Sequence, residues 1–379
     1  MTAYDVIVLG LGGMGSAAAY QIAARGLRVL GLEQFTPAHN RGSSHGQSRI
    51  IREAYFEHPA YVPLVQRAYQ LWRDLEQRTG SDLLRITGGL MIGRRDSELV
   101  TGALHSAQVH QLPHTLLDAD ELRRRYPLFQ PDDADVAVYE PRAGHLDPEA
   151  CVSAHISAAL QHGAELHFEE PVLRWEATDG GVTVETAQGR YQGGALVITA
   201  GPWAGSVVPE LDSQLQVERI PVFWFRPAEI APFAPERFPI YIWEQPNGRA
   251  FYGFPRIGDT VKVAQHYGDQ FVTPDTIDRV VHPNEVEAMR AVLAQHLPTL
   301  DGELVATSTC MYTNSPDLHF IIDRHPQHSQ VAVAAGFSGH GFKFSCVVGE
   351  LLADLALDPA AAPIELFRWS RLQPTPERS

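Results

Sequence analysis

The chain has 379 residues, of which 44% are hydrophobic and 20% charged, and its formal net charge is −15 at pH 7. This length predicts two or three domains, and the acidic balance argues against nucleic acid or an anionic membrane as the main partner. Three cysteines without a Cys-x-x-Cys pair favour a reducing compartment. Because we find no secretory signal and no apolar run of about 18 residues, we expect a cytoplasmic protein without a membrane span.

The N-terminal stretch "YDVIVLGLGGMGSAAAYQIAARGLRVLGLEQF" has the pattern of a nucleotide-binding βαβ unit. An apolar strand leads into Gly10, Gly12 and Gly15, which form G-x-G-x-x-G before a helix, and a second strand ends at Glu33. The glycines allow a tight turn and a close approach of pyrophosphate to the helix N-terminus. Glu33 can accept hydrogen bonds from ribose hydroxyls, which favours FAD or NAD over NADP. A structural βαβ unit without nucleotide is the alternative.

The remaining elements, taken in chain order, predict an α/β protein. Helical spacing of apolar residues covers 58–80, and a second helix is predicted over 148–162. The strand patterns "AELHF", "VTVETAQGRYQGGALVITAG" and "VAVAAG" would extend the nucleotide-binding sheet, whereas residues 217–268 alternate short strands and turns. We therefore predict a Rossmann-like nucleotide-binding domain with an inserted, mostly antiparallel β-sheet domain. The Pro-rich end, residues 359–376, is expected to be a surface tail that packs only in part.

The segment "GSSHGQSRIIREAY" brings His45, Arg49 and Arg52 close together in sequence. Its small residues allow the backbone to pass near a ligand. A buried guanidinium needs a carboxylate, a phosphate or an electron-rich ligand as a partner. The segment is therefore a candidate binding site, and ordinary ion pairing of the arginines with Glu53 or Glu57 is the alternative.

Two further strands and one loop carry candidate side chains. In "TVKVAQHYG" a strand would place Lys262 and His266 on one face, and in "VATSTCMYT" a strand would do the same for Cys310 and Tyr312. The Gly-rich "AAGFSGHGFKFS" contains Lys343. The alternatives are a solvated strand face, a cysteine used only for core packing, and a surface loop.

Together these motifs resemble the monomeric sarcosine oxidase and N-methyltryptophan oxidase group of the D-amino-acid-oxidase-like flavoenzymes. The resemblance covers nearly the whole chain and rests on the glycine fingerprint, "HGQSRIIREAY", "YVPLVQRAYQLW", "FYGFP", "CMYT", "FIID" and "AAGFSGHGFKFS". It implies FAD rather than NAD, attached to Cys310 through an 8α-S-cysteinyl bond. It also implies an FAD-binding domain of residues 1–80, 145–215 and 305–379, and a substrate-binding domain of residues 81–144 and 216–304.

The resemblance also implies roles for individual residues. Lys262 matches an oxygen-activating lysine, and the other catalytic positions are Arg49, His45 and His266. The cofactor-binding positions are Gly10, Gly12, Gly15, Glu33, Ser43, Arg49, Val172, Cys310, Gly339, Gly341 and Lys343. The substrate-binding positions are Arg52, Tyr252, His266, Tyr312 and Lys343. Arg52 and Lys343 would hold the substrate carboxylate through charge-assisted hydrogen bonds. No metal is expected.

The activity implied by the resemblance is oxidation of a small secondary amino acid, such as sarcosine, to an imine that hydrolyses, with O2 reduced to H2O2. Pipecolate, proline-like or glycated amino acids are alternative substrates. An NAD-dependent dehydrogenase and a flavin-binding module without turnover are alternative functions. A monomer is expected. Gln47, Glu53, Phe56 and Trp243 depart from residues common in this family, so the shape of the pocket and the size of the substrate do not follow from the sequence.

Overall fold

The computed structural model describes residues 3–372. Its strands are β1 (Ala3–Leu9), β2 (Val29–Leu32), β3 (Arg49–Ile51), β4 (Leu84–Ile86), β5 (Gly89–Arg94), β6 (Thr115–Asp118), β7 (Asp135–Glu140), β8 (Gly144–Leu146), β9 (Glu165–His167), β10 (Val172–Thr178), β11 (Gly181–Thr186), β12 (Arg190–Ile198), β13 (Gln216–Arg226), β14 (Ile240–Glu244), β15 (Ala250–Gly253), β16 (Val261–His266), β17 (Phe271–Val272), β18 (Glu303–Asn314), β19 (Ile321–Arg324) and β20 (Val331–Ala335). Its helices are α1 (Gly13–Ala23), α2 (Val62–Thr79), α3 (Glu98–Val109), α4 (Ala119–Arg125), α5 (Pro148–Gln161), α6 (Ala204–Val207), α7 (Pro283–His296) and α8 (Ser345–Leu357).

An eight-stranded sheet forms the nucleotide-binding part of the fold. Its main order is β10-β11-β12-β1-β2-β9, and β20 pairs with β12 and with β19. The central strand β1 pairs in parallel with β2 and with β12, as a crossover through α1 requires. Val6, Ile7 and Val8 in β1 have no exposed surface, which is typical of a parallel strand covered on both faces. The predicted Rossmann-like α/β fold is confirmed.

The helices predicted over 58–80 and 148–162 are present as α2 and α5, although α2 begins only at Val62, and α8 was not predicted. Helix α2 ends at Gly80, which adopts the left-handed conformation with φ 68°, as a C-terminal glycine commonly does. Helix α5 is capped by the side chain of Asp147, which accepts a hydrogen bond from the N–H of Ala150. Helix α1 packs against α5 and α8. No helix among residues 3–372 combines the length and the apolar character that crossing a membrane requires.

A nine-stranded sheet forms the second part of the fold. Its main order is β17-β13-β16-β15-β14-β5-β7-β6, and β18 pairs with β13. All neighbours are antiparallel except β5 and β14, so the inserted, mostly antiparallel sheet is confirmed. The boundary expected at residue 305 falls inside β18, which pairs with β13 along its length. The division into two domains remains a prediction.

The alternation of side chains along β14 decides which residue faces the interior of each layer. Trp243 is 1% exposed and stacks on Phe251 with ring centroids 5.7 Å apart, in the core that also contains residues of α7. Its neighbour Ile242 therefore points the other way, toward a cavity described below. At the chain end, Phe367 and Trp369 are buried, in keeping with a tail that packs in part. Residues 373–376 of that tail lie outside the described residues.

Candidate active site

A cavity of about 680 Å³ lies at the carboxyl ends of β1 and β2. Its volume suits a large organic ligand. Gly10 has φ +85°, and a Cβ atom there would lie 2.6 Å from the carbonyl oxygen of Thr199, so this turn requires glycine. A Cβ atom at Gly15 would lie 1.7 Å from the carbonyl oxygen of Gly10. Gly15 therefore allows close packing of α1 and does not itself line the cavity.

Glu33 contributes a carboxylate to the wall of the larger cavity. Its Oε2 accepts a hydrogen bond from the N–H of Leu11 (2.8 Å), and its Oε1 accepts one from the N–H of Phe35 (3.0 Å). Each carboxylate oxygen has a second lone pair that can accept from a ligand hydroxyl. Val172, at the start of β10, lines the same cavity. This end of the cavity therefore suits a polar group such as a ribose.

At the other end of the larger cavity, a guanidinium lies beside a thiol. Nη2 of Arg49 donates to the carbonyl oxygen of Ser43 (2.8 Å) and contacts Sγ of Cys310 at 3.3 Å. Nη1 of Arg49 donates to the carbonyl oxygen of Ser48 (2.8 Å). The side chain of Cys310 is 5% exposed. The predicted common face of Cys310 and Tyr312 is confirmed, since both pack in one cluster with Ile220 that does not include Met311.

A second cavity, of about 60 Å³, adjoins the first. Its wall is formed by His45, Arg49, Ile50, Arg52, Phe56, Glu57, Val222, Ile242, Tyr252, Phe254, Lys262, His266, Cys310, Tyr312, Gly339, His340, Phe342 and Lys343. Five of these residues also line the larger cavity, namely Arg49, Cys310, Tyr312, Gly339 and Phe342. A ligand in the larger cavity would therefore meet a ligand in the smaller one at this shared wall.

Both lysines of the chain line the smaller cavity. Lys262 and Lys343 are its only lysines, and their exposed fractions are 2% and 4%. Lysine is almost never fully buried unless it has partners. Every other basic Lys or Arg side chain of the sequence is an arginine, so burial of both lysines at one cavity indicates a role other than solubility. The presence of only two lysines in the sequence is a signal that supports Lys262 and Lys343 as candidate site residues.

Lys262 is held by backbone carbonyl groups of the His45–Arg49 segment. Its Nζ donates to the carbonyl oxygens of Gly46 (2.8 Å) and Ser48 (2.9 Å). It also lies 5.0 Å from the ring centroid of Phe254. Burial, followed by the charge of Arg49, lowers the pKa of Lys262 well below its usual value. Lys262 and His266 share one face of β16, as predicted, and that face lines the cavity instead of contacting solvent.

Arg52 is fully buried and paired with a carboxylate of its own segment. Its Nη2 donates to Oε1 and Oε2 of Glu57, at 2.7 and 2.6 Å, and its Nη1 donates to the carbonyl oxygen of Ala54 (3.1 Å). Within residues 3–372 its buried Nε has no hydrogen-bond partner. Burial would raise the pKa of Glu57, but Arg52, with His340 and Lys343, lowers it to about 2. The ion-pair alternative drawn from the sequence is therefore correct for Glu57.

Lys343 faces the same small cavity as Arg52. Its Nζ donates to the carbonyl oxygen of His340 (2.6 Å) and contacts the hydroxyl of Tyr55 at 3.3 Å. Burial, with the nearby charge of Arg52 and against that of Glu57, lowers the pKa of Lys343 to about 7. The Gly-rich loop is thus buried at this point and is not a surface loop. Lys343, expected at both cofactor and substrate, lines only the smaller cavity.

The histidines and tyrosines of the small cavity are neutral near pH 7. Burial, followed by the charge of Arg49, lowers the pKa of His45 to about 3, and burial lowers that of His266 to about 4. Burial raises the pKa of Tyr252 and of Tyr312. Nδ1 of His266 lies 3.3 Å from the hydroxyl of Tyr312. The charge in the cavity therefore comes from its arginines, its lysines and Glu57.

Two carboxylates outside the cavity hold the segment that carries the arginines. Glu149, in the first turn of α5, accepts from the N–H of Gly46 (2.5 Å). Glu140, at the end of β7, accepts from the N–H groups of Glu53 (2.7 Å) and Ala54 (2.8 Å). These contacts join residues 103, 87 and 86 positions apart. Local sequence patterns do not contain such information, so neither carboxylate was a candidate.

The structure shows where three residues that depart from the family pattern lie. Oε1 of Gln47 accepts a hydrogen bond from Nε1 of Trp224 (3.0 Å). Glu53 is 1% exposed and lies 3.2 Å from Nη2 of Arg142. Phe56 lines the smaller cavity. Of these three residues, only Phe56 changes the space in which a substrate would bind.

The structure brings the predicted residues together in the pattern expected. All predicted substrate-binding residues line the smaller cavity, and the predicted cofactor-binding residues line the larger one except Gly15 and Lys343. Their individual roles remain predictions. Glu57, Phe254 and His340 line the smaller cavity without having been assigned a role.

Comparison with known proteins agrees with this geometry. Residues 5–355 match the family model described as DAO, FAD dependent oxidoreductase. The chain is 52% identical to a monomeric sarcosine oxidase of Streptomyces avermitilis, covering 98% of this chain and 99% of the relative. It is 36% identical to an N-methyl-L-tryptophan oxidase of Salmonella arizonae, covering 97% and 100%. A solved structure of NikD, described as an unusual amino acid oxidase essential for nikkomycin biosynthesis, superposes with a TM-score of 0.86 at 26% identity, covering 97% of both chains.

Proposed function

This chain belongs to the DAO family of FAD dependent oxidoreductases, and from that membership we propose that it is an FAD-dependent amine oxidase of small N-methyl amino acids such as sarcosine. One observation carries the proposal. A large nucleotide-type cavity and a small cationic cavity meet at a shared wall containing Arg49, Cys310 and Tyr312. An amine bound in the small cavity would therefore lie next to the end of a cofactor bound in the large one.

The residues of the larger cavity fit FAD. Glu33 would accept hydrogen bonds from the ribose, and the backbone N–H groups of the glycine turn would bind the pyrophosphate. Arg49 and His45 offer nitrogen groups at the opposite end, where the flavin ring would meet the smaller cavity. Nε2 of His45 is buried without a hydrogen-bond partner among the described residues, and a bound ligand can supply that partner.

Arg52 and Lys343 are the residues that we propose bind the substrate carboxylate. Arg52, whose Nε has no partner among the described residues, and Lys343 line one small cavity, and two cations on one carboxylate form a strong, oriented contact. Both carboxylate oxygens of Glu57 already accept hydrogen bonds from Nη2 of Arg52. Substrate would therefore share the guanidinium with Glu57 or displace it, so Glu57 lowers the affinity for any carboxylate.

When bound, FAD supplies a two-electron acceptor for the hydride that leaves the carbon next to the amine nitrogen. This chain's residues orient the substrate, since the carboxylate contacts fix which carbon faces the shared wall. The amine must be neutral for its lone pair to assist, and no strong protein base is assigned because burial lowers the pKa of His45 to about 3 and that of His266 to about 4, which makes both weak bases. Loss of the hydride and of the N–H proton leaves an imine, which water hydrolyses.

Lys262 is the residue that we propose favours reduction of O2 to H2O2. Its buried ammonium has three N–H donors, two of which bind backbone carbonyl oxygens. Because those contacts fix its position, protonated Lys262 already has its charge in place when negative charge develops on oxygen. The low dielectric around a buried group makes this interaction stronger than it would be in water.

Hydrogen peroxide release from a panel of amines tests the proposed function. We expect release with sarcosine and an absorbance band of bound flavin near 450 nm. Activity confined to pipecolate, proline-like or glycated amino acids would transfer the proposal to those alternatives. Purified protein without flavin bands would contradict the oxidase and leave the NAD-dependent alternative. A monomeric state and a cytoplasmic location stay predictions from the sequence.

For covalent attachment of FAD we predict that Cys310→Ala releases all of its flavin on acid precipitation, whereas the wild-type flavin stays with the polypeptide. Forming the thioether joins Sγ to the 8α carbon and removes two protons and two electrons, which O2 would accept. Fluorescence of the denatured chain on a gel measures the linkage. Cys346→Ala is the matched control, because its buried thiol lies on α8 and should leave the flavin attached. Free flavin from the wild type would disprove the linkage.

For Lys343 we predict that acetate binding weakens as pH rises through about 7. The pKa of this ammonium is lowered to about 7, so the cation that binds a carboxylate is present below that pH and is lost above it. Protein labelled with ε-13C lysine gives signals from only two lysines, and Lys262→Met identifies them. In Lys343→Met the pH dependence of acetate affinity should disappear. A Lys343 signal that titrates near the usual lysine value would contradict the prediction.

A further inference from the structure

Phe56 forms part of the wall of the small cavity beside Arg52. The guanidinium carbon of Arg52 lies 4.4 Å from the ring centroid of Phe56 and 4.3 Å from that of Tyr55. Such contacts are attractive for a cation over an aromatic ring. Phe56 is half-buried and packs against the main core cluster. Its ring therefore lies next to the group that would hold a substrate carboxylate.

The backbone around Phe56 is fixed from behind by α3. A Cβ atom at Gly102 would lie 2.3 Å from the carbonyl oxygen of Phe56, so the helix backbone directly abuts this residue. Oγ of Ser106 donates to the carbonyl oxygen of Tyr55 (2.5 Å). The N–H of Ala54 donates to Glu140, as described above. These contacts hold the backbone that leads into Phe56 against α3.

We propose that Phe56 limits the size of the substrate by hindering bulky substituents on its α-carbon. This inference rests on the proposed function. A carboxylate on Arg52 places its α-carbon one bond away, so substituents on that carbon meet the ring of Phe56 before the N-methyl group does. Phe56 lines a cavity of only about 60 Å³, and forcing extra atoms into a filled space is destabilising.

The substrate class follows from this geometry. Phe56 favours sarcosine over N-methyl amino acids with branched or aromatic side chains. Discrimination against one extra methylene in such a pocket is about 10- to 200-fold, and a branched side chain adds several carbons.

The experiment compares Phe56→Ala with wild type as holoenzymes, using two non-reacting probes. Calorimetry measures the dissociation constants of acetate and of 4-methylpentanoate, whose α-carbon carries an isobutyl group. We expect wild type to bind acetate at least about tenfold more tightly than 4-methylpentanoate, and Phe56→Ala to lose that preference. In parallel, the ratio of kcat/KM for N-methylleucine to that for sarcosine should rise at least about tenfold.

Two further variants keep the test decisive. Phe56→Tyr retains the ring and should retain the wild-type preference, and Phe56→Leu should give an intermediate one if Phe56→Ala does not fold. An unchanged preference in a folded Phe56→Ala or Phe56→Leu protein would overturn the inference while leaving the oxidase intact. Failure of wild type to bind acetate would overturn it as well, because the carboxylate contact at Arg52 is its premise. Absence of oxidation despite normal binding of the probes would instead contradict the proposed function.

Discussion

Replacing Lys262 with methionine is expected to slow the reaction of the reduced holoenzyme with O2 by about 10²- to 10³-fold, the typical effect of removing one fixed donor that stabilises developing negative charge. Methionine has nearly the length of lysine but no charge, so Gly46 and Ser48 lose only their hydrogen bonds to Nζ. Anaerobic reduction by substrate should change much less, because Lys262 is not proposed to hold the carboxylate. Stopped-flow absorbance measures the two half-reactions separately.

The chain provides a matched control for Lys262 in its only other lysine. Lys343→Met also removes a buried ammonium from the small cavity, but its expected defect is weaker substrate binding with near-normal reoxidation. Slow reoxidation with near-normal reduction in Lys262→Met, and weak substrate binding with near-normal reoxidation in Lys343→Met, would separate the roles of the two lysines. Normal reoxidation in Lys262→Met would remove this residue from the reaction with oxygen.

Replacing Arg52 with methionine is expected to cost the enzyme most of its affinity for carboxylates. Truncating one member of a buried, hydrogen-bonded charge pair typically costs about 2–5 kcal/mol of binding free energy, which corresponds to roughly 30- to 5000-fold in kcat/KM. Arg52 also holds Glu57 through two short contacts, so stability should fall too. Acetate calorimetry and kcat/KM for sarcosine measure binding, and thermal unfolding measures stability.

Variants of Glu57 separate the binding effect from the structural one. In Arg52→Met/Glu57→Gln no unpaired charge remains, so much of the stability should return while acetate binding stays lost. Glu57→Gln alone keeps Arg52 and removes its internal anion, and this variant should bind acetate more tightly than wild type. If Arg52→Met bound acetate with wild-type affinity, the carboxylate would have to bind elsewhere.

The cofactor end of the site could be predicted because its pattern is local. A strand, a glycine turn, a helix and a second strand ending in Glu33 follow one another within the first 33 residues. Hydrogen bonding of that unit depends mainly on neighbours in sequence, and the structure has it as predicted. Strand periodicity likewise determined that Lys262 shares a face with His266, and Cys310 with Tyr312, because side chains alternate with a period of two.

Periodicity predicts which side chains share one face of a strand, but it does not predict what that face contacts. Strand β13 pairs with β16 on one side and with β18 on the other, and this non-local order brings Lys262 and Cys310 toward one cavity. From the sequence, Trp243 was expected to affect the pocket, but the packing of the second sheet against α7 places it in the core instead.

By itself the sequence determined the nucleotide-binding unit, the strand faces that carry reactive side chains and, through its resemblance, the class of chemistry. Only the tertiary structure decided that Arg52 is paired with Glu57, that Glu140 and Glu149 hold its segment, and that Phe56 narrows the cavity. The physical reason is the distance along the chain between the residues that determine each feature. Backbone conformation and side-chain alternation are set by neighbouring residues, whereas a charge's partner and a cavity's volume depend on residues far apart in the chain that only the complete fold brings into contact.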